Sequence, residues 1–202
     1  MKNKIRSYII ILLGIFSLNS TIKAEIVFFN SENIQIEDEG NIIIAKNGRA
    51  KIPEQNMLIE GDRSLYNKKK SELIIIGNVK FFDELNNIYI ESERASYDEN
   101  ENIIVTSGTT YLKIDNEYEV YSKDIFYDRN SMKVFSKLHT TILDTEKNIY
   151  YLEDGFLLDS VKEILTSKST NIWDNEKNNY LFEMAKINLQ TKELVGKEIT
   201  ID

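Results

Sequence analysis

The property that most constrains this chain is a period. An aromatic or aliphatic residue followed by a polar, turn-forming one recurs as Tyr66-Asn67, Tyr97-Asp98, Tyr127-Asp128, Leu158-Asp159 and Leu189-Gln190, at spacings of 31, 30, 31 and 31 residues. The first three pairs are each followed by a polar stretch (Lys68-Lys69-Lys70-Ser71, Glu99-Asn100-Glu101, Arg129-Asn130-Ser131) and then by an alternating run. A fixed period of this length marks a repetitive architecture, in which one unit cannot bury its apolar face alone and stacks on the next.

Each unit reads as two strands and two turns. In the first, Leu73, Ile75, Val79 and Phe81 share one parity with Gly77, while Glu72, Asn78 and Lys80 take the other. Successive side chains of a strand point to opposite faces, so one face is apolar and the other mostly polar. The same parity gives Ile104, Thr106, Gly108, Thr110 and Leu112 in the second unit, and Val134, Ser136, Leu138, Thr140 and Ile142 in the third. Between the runs lie turn-rich loops such as 83–87, 115–117 and 144–148. Gly77 and Gly108 fall at equivalent mid-strand places. Such a glycine marks either a bend of the sheet or room for a ligand, and both readings stay open.

The chain has one Pro and no Cys, and turn clusters come every dozen or so residues. That pattern, without helical periodicity, predicts an all-β domain. It has to be stabilised by burial and backbone pairing, because it can form no disulfide.

The two ends differ from the middle. Met1–Ala24 has a basic head (Lys2, Lys4, Arg6), an apolar centre over Tyr8–Leu18 and a small residue last, the layout of a secretory signal peptide. The apolar centre is far shorter than the roughly 20 residues that cross a bilayer as a helix. Export at Glu25 is therefore expected, and it removes four basic groups, so a net charge of −8 becomes −12. An acidic domain repels nucleic acid, which excludes that class of partner. Residues 25–56 read as N-terminal cap strands, with Ile26–Phe29 in a first strand and a hairpin around Glu39-Gly40. From Tyr150 the repeat continues with a weaker consensus. The sequence stays strand-like to Asp202, which is expected of either an open edge strand or a chain that continues further.

The run Ile59-Glu60-Gly61-Asp62-Arg63, Tyr66-Asn67 and Ile76-Gly77-Asn78-Val79, with a looser copy over Tyr97–Thr109, resembles the OstA-like domain of lipopolysaccharide transport. That family includes the periplasmic bridge protein LptA and the N-terminal part of the LPS-assembly protein LptD. The resemblance covers residues 57–202. It departs from the family pattern where Leu138 and Ser169 replace the mid-strand glycine. Length matches LptA; texture matches an LptD N-terminal part and is given slightly more weight.

The resemblance implies an open, curled β-jellyroll of two-strand repeats whose layers enclose an apolar groove for lipid acyl chains. Leu73, Ile75, Val79, Phe81, Ile104, Leu112, Val134, Leu138 and Ile142 would line that groove. It further implies lipopolysaccharide as cargo and other OstA-like proteins as partners through edge-strand pairing. It places the chain in the periplasm, with attachment to the outer membrane through a barrel beyond Asp202 as the LptD-like variant.

No enzyme, metal or cofactor is expected. His139 is the one histidine and belongs to no recognisable catalytic constellation, and the carboxylates in the turns lack the spacing of a calcium loop. Trp173 and the tyrosines fit sugar binding, but more often such residues are cross-strand packing. The alternative to a carrier is a repetitive β-solenoid scaffold with no lipid cargo, which would have a solid interior.

Overall fold

The computed structural model describes residues 26–201. These form sixteen β-strands and two short 3-10 turns, Asp38–Gly40 and Pro53–Gln55, with no α-helix among the described residues. The expected signal segment Met1–Ala24 lies outside them.

Strands β1 (Val27–Phe29) and β2 (Asn33–Glu37) both pair with β3 (Ile42–Ile52), β2 along its first half and β1 along its second. Four long antiparallel strands then follow as a meander from β3: β4 (Met57–Asn67), β5 (Glu72–Asp83), β6 (Ile88–Asp98) and β7 (Ile103–Ile114). The next three long strands are each broken into two. They appear as β8 (Tyr118–Lys123) with β9 (Phe126–Asp128), β10 (Lys133–Ser136) with β11 (Thr140–Asp144), and β12 (Ile149–Leu152) with β13 (Phe156–Asp159). Long strands resume with β14 (Ile164–Trp173), β15 (Asn179–Asn188) and β16 (Leu194–Ile201).

The result is one continuous sheet creased lengthwise into two layers. Pairing registers slip at the crease, between Glu60 and Arg63, between Ile76 and Val79, and between Ser92 and Arg94. Where the strands are broken, the crease interrupts the ladder altogether: β7 pairs with β8 in one layer and with β9 in the other, and β14 pairs likewise with β12 and β13. Gly77 and Gly108 sit on the crease at φ +78° and +88°. An added Cβ would strike the exposed Asp62 carboxylate at 2.3 Å in one case and Glu93 Oε2 at 2.6 Å in the other. Both glycines therefore serve the bend. The alternative of ligand room in the interior is corrected, because the missing side chains face these surface carboxylates.

The interior tapers, and residue size follows the taper. Near the crease, where the layers converge, the inward side chains are small hydroxyls that bond each other: Ser92 with Thr110 at 3.1 Å, Thr110 to Thr106 at 2.9 Å, and Ser122 with Thr140 at 2.7 Å. Ile75 and Val79 flank the crease at the level of these hydroxyls, and further out come buried branched aliphatics such as Leu73, Ile104 and Leu112. At the far side stand Tyr66, Tyr97 and Tyr127, the anchors of the sequence period, all buried. Full burial of a large aliphatic side chain stabilises by about 1.5–3 kcal/mol, so this shared face holds the repeats together.

The polar partner of each anchor closes a turn. Asp98 Oδ1 accepts from the backbone N–H of Asn100 and Glu101, and Asp128 Oδ1 accepts from those of Asn130 and Ser131. The fifth turn is closed by Asn188, whose Oδ1 accepts from Gln190 and Thr191. The fifth anchor is thus Ile187-Asn188 rather than Leu189-Gln190: the last unit is two residues shorter than a strict period places it.

Candidate functional site

Opposite the crease, two rows of turns approach each other, and what joins them changes along the molecule. Over the first three repeats they are bolted by Arg129. Its Nε donates to Asp83 Oδ2 at 2.7 Å and its Nη2 to Asp83 Oδ1 at 3.2 Å. Its Nη1 donates to Gln55 Oε1 at 2.7 Å and to Asn102 Oδ1 at 2.9 Å. The hydroxyl of Tyr127 donates to Asp83 Oδ2 at 3.0 Å, and that of Tyr97 to Gln55 Oε1 at 2.9 Å. Arg129 and Asp83 side chains are 4% and 0% exposed. Gln55 and Asp83 belong to turns of one layer, Asn102 and Arg129 to turns of the other, so the network spans the gap. Burial alone would raise the Asp83 carboxyl. Hydrogen bonds from Arg129, Asn86 and Tyr127, together with the guanidinium charge, outweigh burial and hold it below the usual carboxylate range. Burial also pushes the Tyr97 hydroxyl up to about 12, so it stays a donor at neutral pH.

Beyond that network the rows part. A cleft of about 440 Å3 opens between Ile114, Asp115, Glu117 and Tyr118 of one layer and Leu158, Ser160, Glu163, Leu189, Gln190 and Lys192 of the other. Beneath it lies a narrow gap of about 10 Å3 walled by Ile114, Val120, Ile142, Phe156, Leu158, Leu165 and neighbouring apolar side chains. The cleft therefore leads from a polar rim to an apolar interior. Lys192 stands at the rim. Its ammonium lies 4.6 Å from the centre of the Tyr118 ring and donates to the Tyr118 hydroxyl, which itself donates to the Leu189 carbonyl at 3.0 Å. Burial would lower the Lys192 pKa, but the Tyr118 hydrogen bond and the nearby charges raise it, so the amine is charged at neutral pH.

Of the nine wall residues expected from the sequence, Leu73, Ile75, Val79, Phe81, Ile104, Leu112, Val134 and Ile142 are buried. Leu138 is 42% exposed and is corrected. It lies in the break between β10 and β11, at the crease place of Gly77 and Gly108, where the side chain turns outward. The expected lengthwise trough also differs. Under the Arg129 network the interior is filled by its own side chains; none of the nine lines the cleft itself, and Ile142 alone walls the narrow gap beneath it. The cleft and network residues Gln55, Asp83, Ile114, Tyr118, Arg129, Leu189 and Lys192 were not legible as a group, since the fold brings them together from separate turns. His139 is exposed and its ring faces Glu153 at 3.3 Å. Among the described residues no three His, Cys, Asp or Glu side chains converge as a metal site.

No protein-family model matches the chain. No curated protein sequence matches it either. Among solved structures it is similar to LptH, the LptA homologous periplasmic component of the lipopolysaccharide transport device from Pseudomonas aeruginosa, at 10% identity and a TM-score of 0.31. That match covers 74% of this chain and 95% of the LptH chain.

Proposed function

We propose that the chain is a periplasmic, non-enzymatic carrier of lipopolysaccharide-type lipid, in the manner of an LptA bridge or an LptD N-terminal domain. The observation that carries this reading is the cleft on the open side, where a polar rim gives onto the apolar space between the layers. Ligand pockets run from about 300 to 1,000 Å3, so a volume of about 440 Å3 suits a single acyl chain. Each buried methylene contributes roughly 0.8 kcal/mol, enough to hold a lipid without a dedicated charge partner. A lipid with several chains requires the layers to part, and then Leu73, Ile75, Val79, Phe81, Ile104, Leu112, Val134 and Ile142 become its walls.

Edge pairing with other OstA-like proteins is supported by the terminal strands. The side chains of β2 are exposed along its length, as are nearly all those described in β16, and among the described residues each strand has one partner. An unpaired edge is a template for strand addition. Attachment through an outer-membrane barrel belongs to the LptD-like variant of the same reading.

The filled interior under Arg129 favours the second reading, a scaffold without cargo. Photo-crosslinking separates the two. With a photoreactive residue at Ile142 or Leu165 and lipopolysaccharide as the probe, the carrier gives adducts, whereas the exposed position Leu138 gives none. Equal labelling at all three positions, or none at the two positions beneath the cleft, overturns the carrier reading.

A further inference from the structure

On the outer face of the sheet, away from the interior cleft, Trp173 is paired across from Ile149, with Tyr151 two residues along on the same face. These side chains wall a surface depression of about 330 Å3 together with Lys147, Asp174, Asn175 and Lys177. Trp173 is the chain's single tryptophan and is 38% exposed. Lys147 and Lys177 occupy equivalent places in successive turns, both at positive φ, and their ammonium groups are in no ion pair or hydrogen bond among the described residues. The two turns are tied together by the Asn175 N–H donating to Asn148 Oδ1 at 3.2 Å, which fixes their relative position.

Two side-chain amides flank the aromatic pair. Asn171 is cross-strand from Tyr151 and Asn179 is cross-strand from Trp173. The carbonyl oxygen of each is covered and accepts no hydrogen bond, and neither residue lines the depression, so they back the rings rather than face a ligand. Asp174 carries its negative charge at the edge of the depression, but its oxygens are engaged within their own turn. Its carboxylate already accepts from the backbone N–H of Glu176 and Asn178, the Asn178 amide and the Tyr180 hydroxyl.

We infer that this depression binds an acidic sugar, with its ring face on Trp173 and Tyr151 and its anionic group between Lys147 and Lys177. Each part of the site answers to one part of such a ligand. An indole and a phenol ring offer apolar faces to the C–H face of a pyranose. Two unpaired cations, on an otherwise strongly acidic chain, suit a carboxylate or phosphate. A neutral sugar would leave the lysines unused, and a simple anion would leave the rings unused. The inference stands independently of the interior cleft and of the carrier reading.

The single tryptophan makes the test direct. Indole emission of the full chain is followed while titrating a uronic-acid disaccharide, a hexose phosphate, a neutral disaccharide of equal size and inorganic phosphate. The expected result is a saturable change with either acidic sugar and none with the neutral disaccharide or phosphate. The Lys147→Gln/Lys177→Gln double variant, checked for native circular dichroism, weakens acidic-sugar binding about tenfold, as loss of two exposed charge contacts implies. No change with either acidic sugar overturns the proposal. So does equal binding of neutral and acidic sugars, or unaltered affinity in the folded double variant.

Discussion

Replacing Arg129 with methionine lowers the free energy of unfolding by about 3–5 kcal/mol, the penalty typical of removing one partner from a buried ion pair. Asp83 is wholly buried, and the substitution takes away its two shortest-range cationic donors while leaving the charge in place. Gln55 and Asn102 lose a donor at the same time. Urea titration at neutral pH measures the loss, and a change below about 1 kcal/mol would mean that the network is not structural. The Asp83→Leu/Arg129→Met double variant is expected to recover much of the loss, because an apolar pair of similar volume leaves no charge buried. Acid titration separates the cases further. In the parent protein the folded pKa of Asp83 is depressed, so its contribution is complete above the unfolded value of about 3.9 and fades as pH falls through the folded value. In Arg129→Met the guanidinium is gone and burial dominates, which raises the folded pKa. The stability deficit of the variant then shrinks on acidification, whereas loss of an ordinary packing contact would leave it unchanged. Parting of the turn rows also exposes the apolar interior, read as increased binding of an apolar fluorescent dye.

The period made the repeat legible because each anchor does the same physical job. Tyr66, Tyr97 and Tyr127 fill the wide side of the tapered interior, and the Asn or Asp after each closes a turn. Alternation then sorted inward from outward residues wherever strands are continuous. It failed at Leu138 because that residue takes the crease place of Gly77 and Gly108, where the side chain turns outward, while Ser136 before it and Thr140 after it stay buried on the same parity. The last unit was misplaced by two residues because Ile187-Asn188 and Leu189-Gln190 both fit an apolar-polar pair. Only the backbone hydrogen bonds to Asn188 decide between them. The joining of the turn rows was not legible at all. Arg129 reads in sequence as a solvated turn residue, and its partners lie 46 and 74 positions away. Its one local signal is a guanidinium in a turn position where the preceding units carry Lys68 and Glu99.

Gly155→Ala is expected to cost the most of any glycine substitution at a left-handed position in this chain. Three such glycines make a graded series. Gly40 has φ +92° and open space around an added Cβ, so its cost is conformational alone, about 1–2 kcal/mol. At Gly77, φ +78°, the added methyl meets the exposed Asp62 carboxylate, whose flexible end can swing away, so the cost rises little. At Gly155, φ +77°, the Cβ would stand 2.1 Å from the Ser136 carbonyl oxygen and 2.7 Å from its carbon, backbone atoms that have no rotamer to escape into. One strand must shift against the other. Gly155 also accepts a 2.6 Å hydrogen bond from the Ser167 hydroxyl at its carbonyl, and that shift disrupts it. The combined loss is expected to exceed about 4 kcal/mol, the range reserved for backbone strain together with a broken buried contact. Denaturant midpoints of the three variants measure the order, and equal losses would mean that φ alone sets the cost at these left-handed glycines. The effect reaches the cleft as well, because Gly155 immediately precedes Phe156 and Leu158, two of the apolar walls beneath the rim. A Gly155→Ala chain that still folds is therefore expected to lose crosslinking at Ile142 and Leu165, while Gly40→Ala retains it.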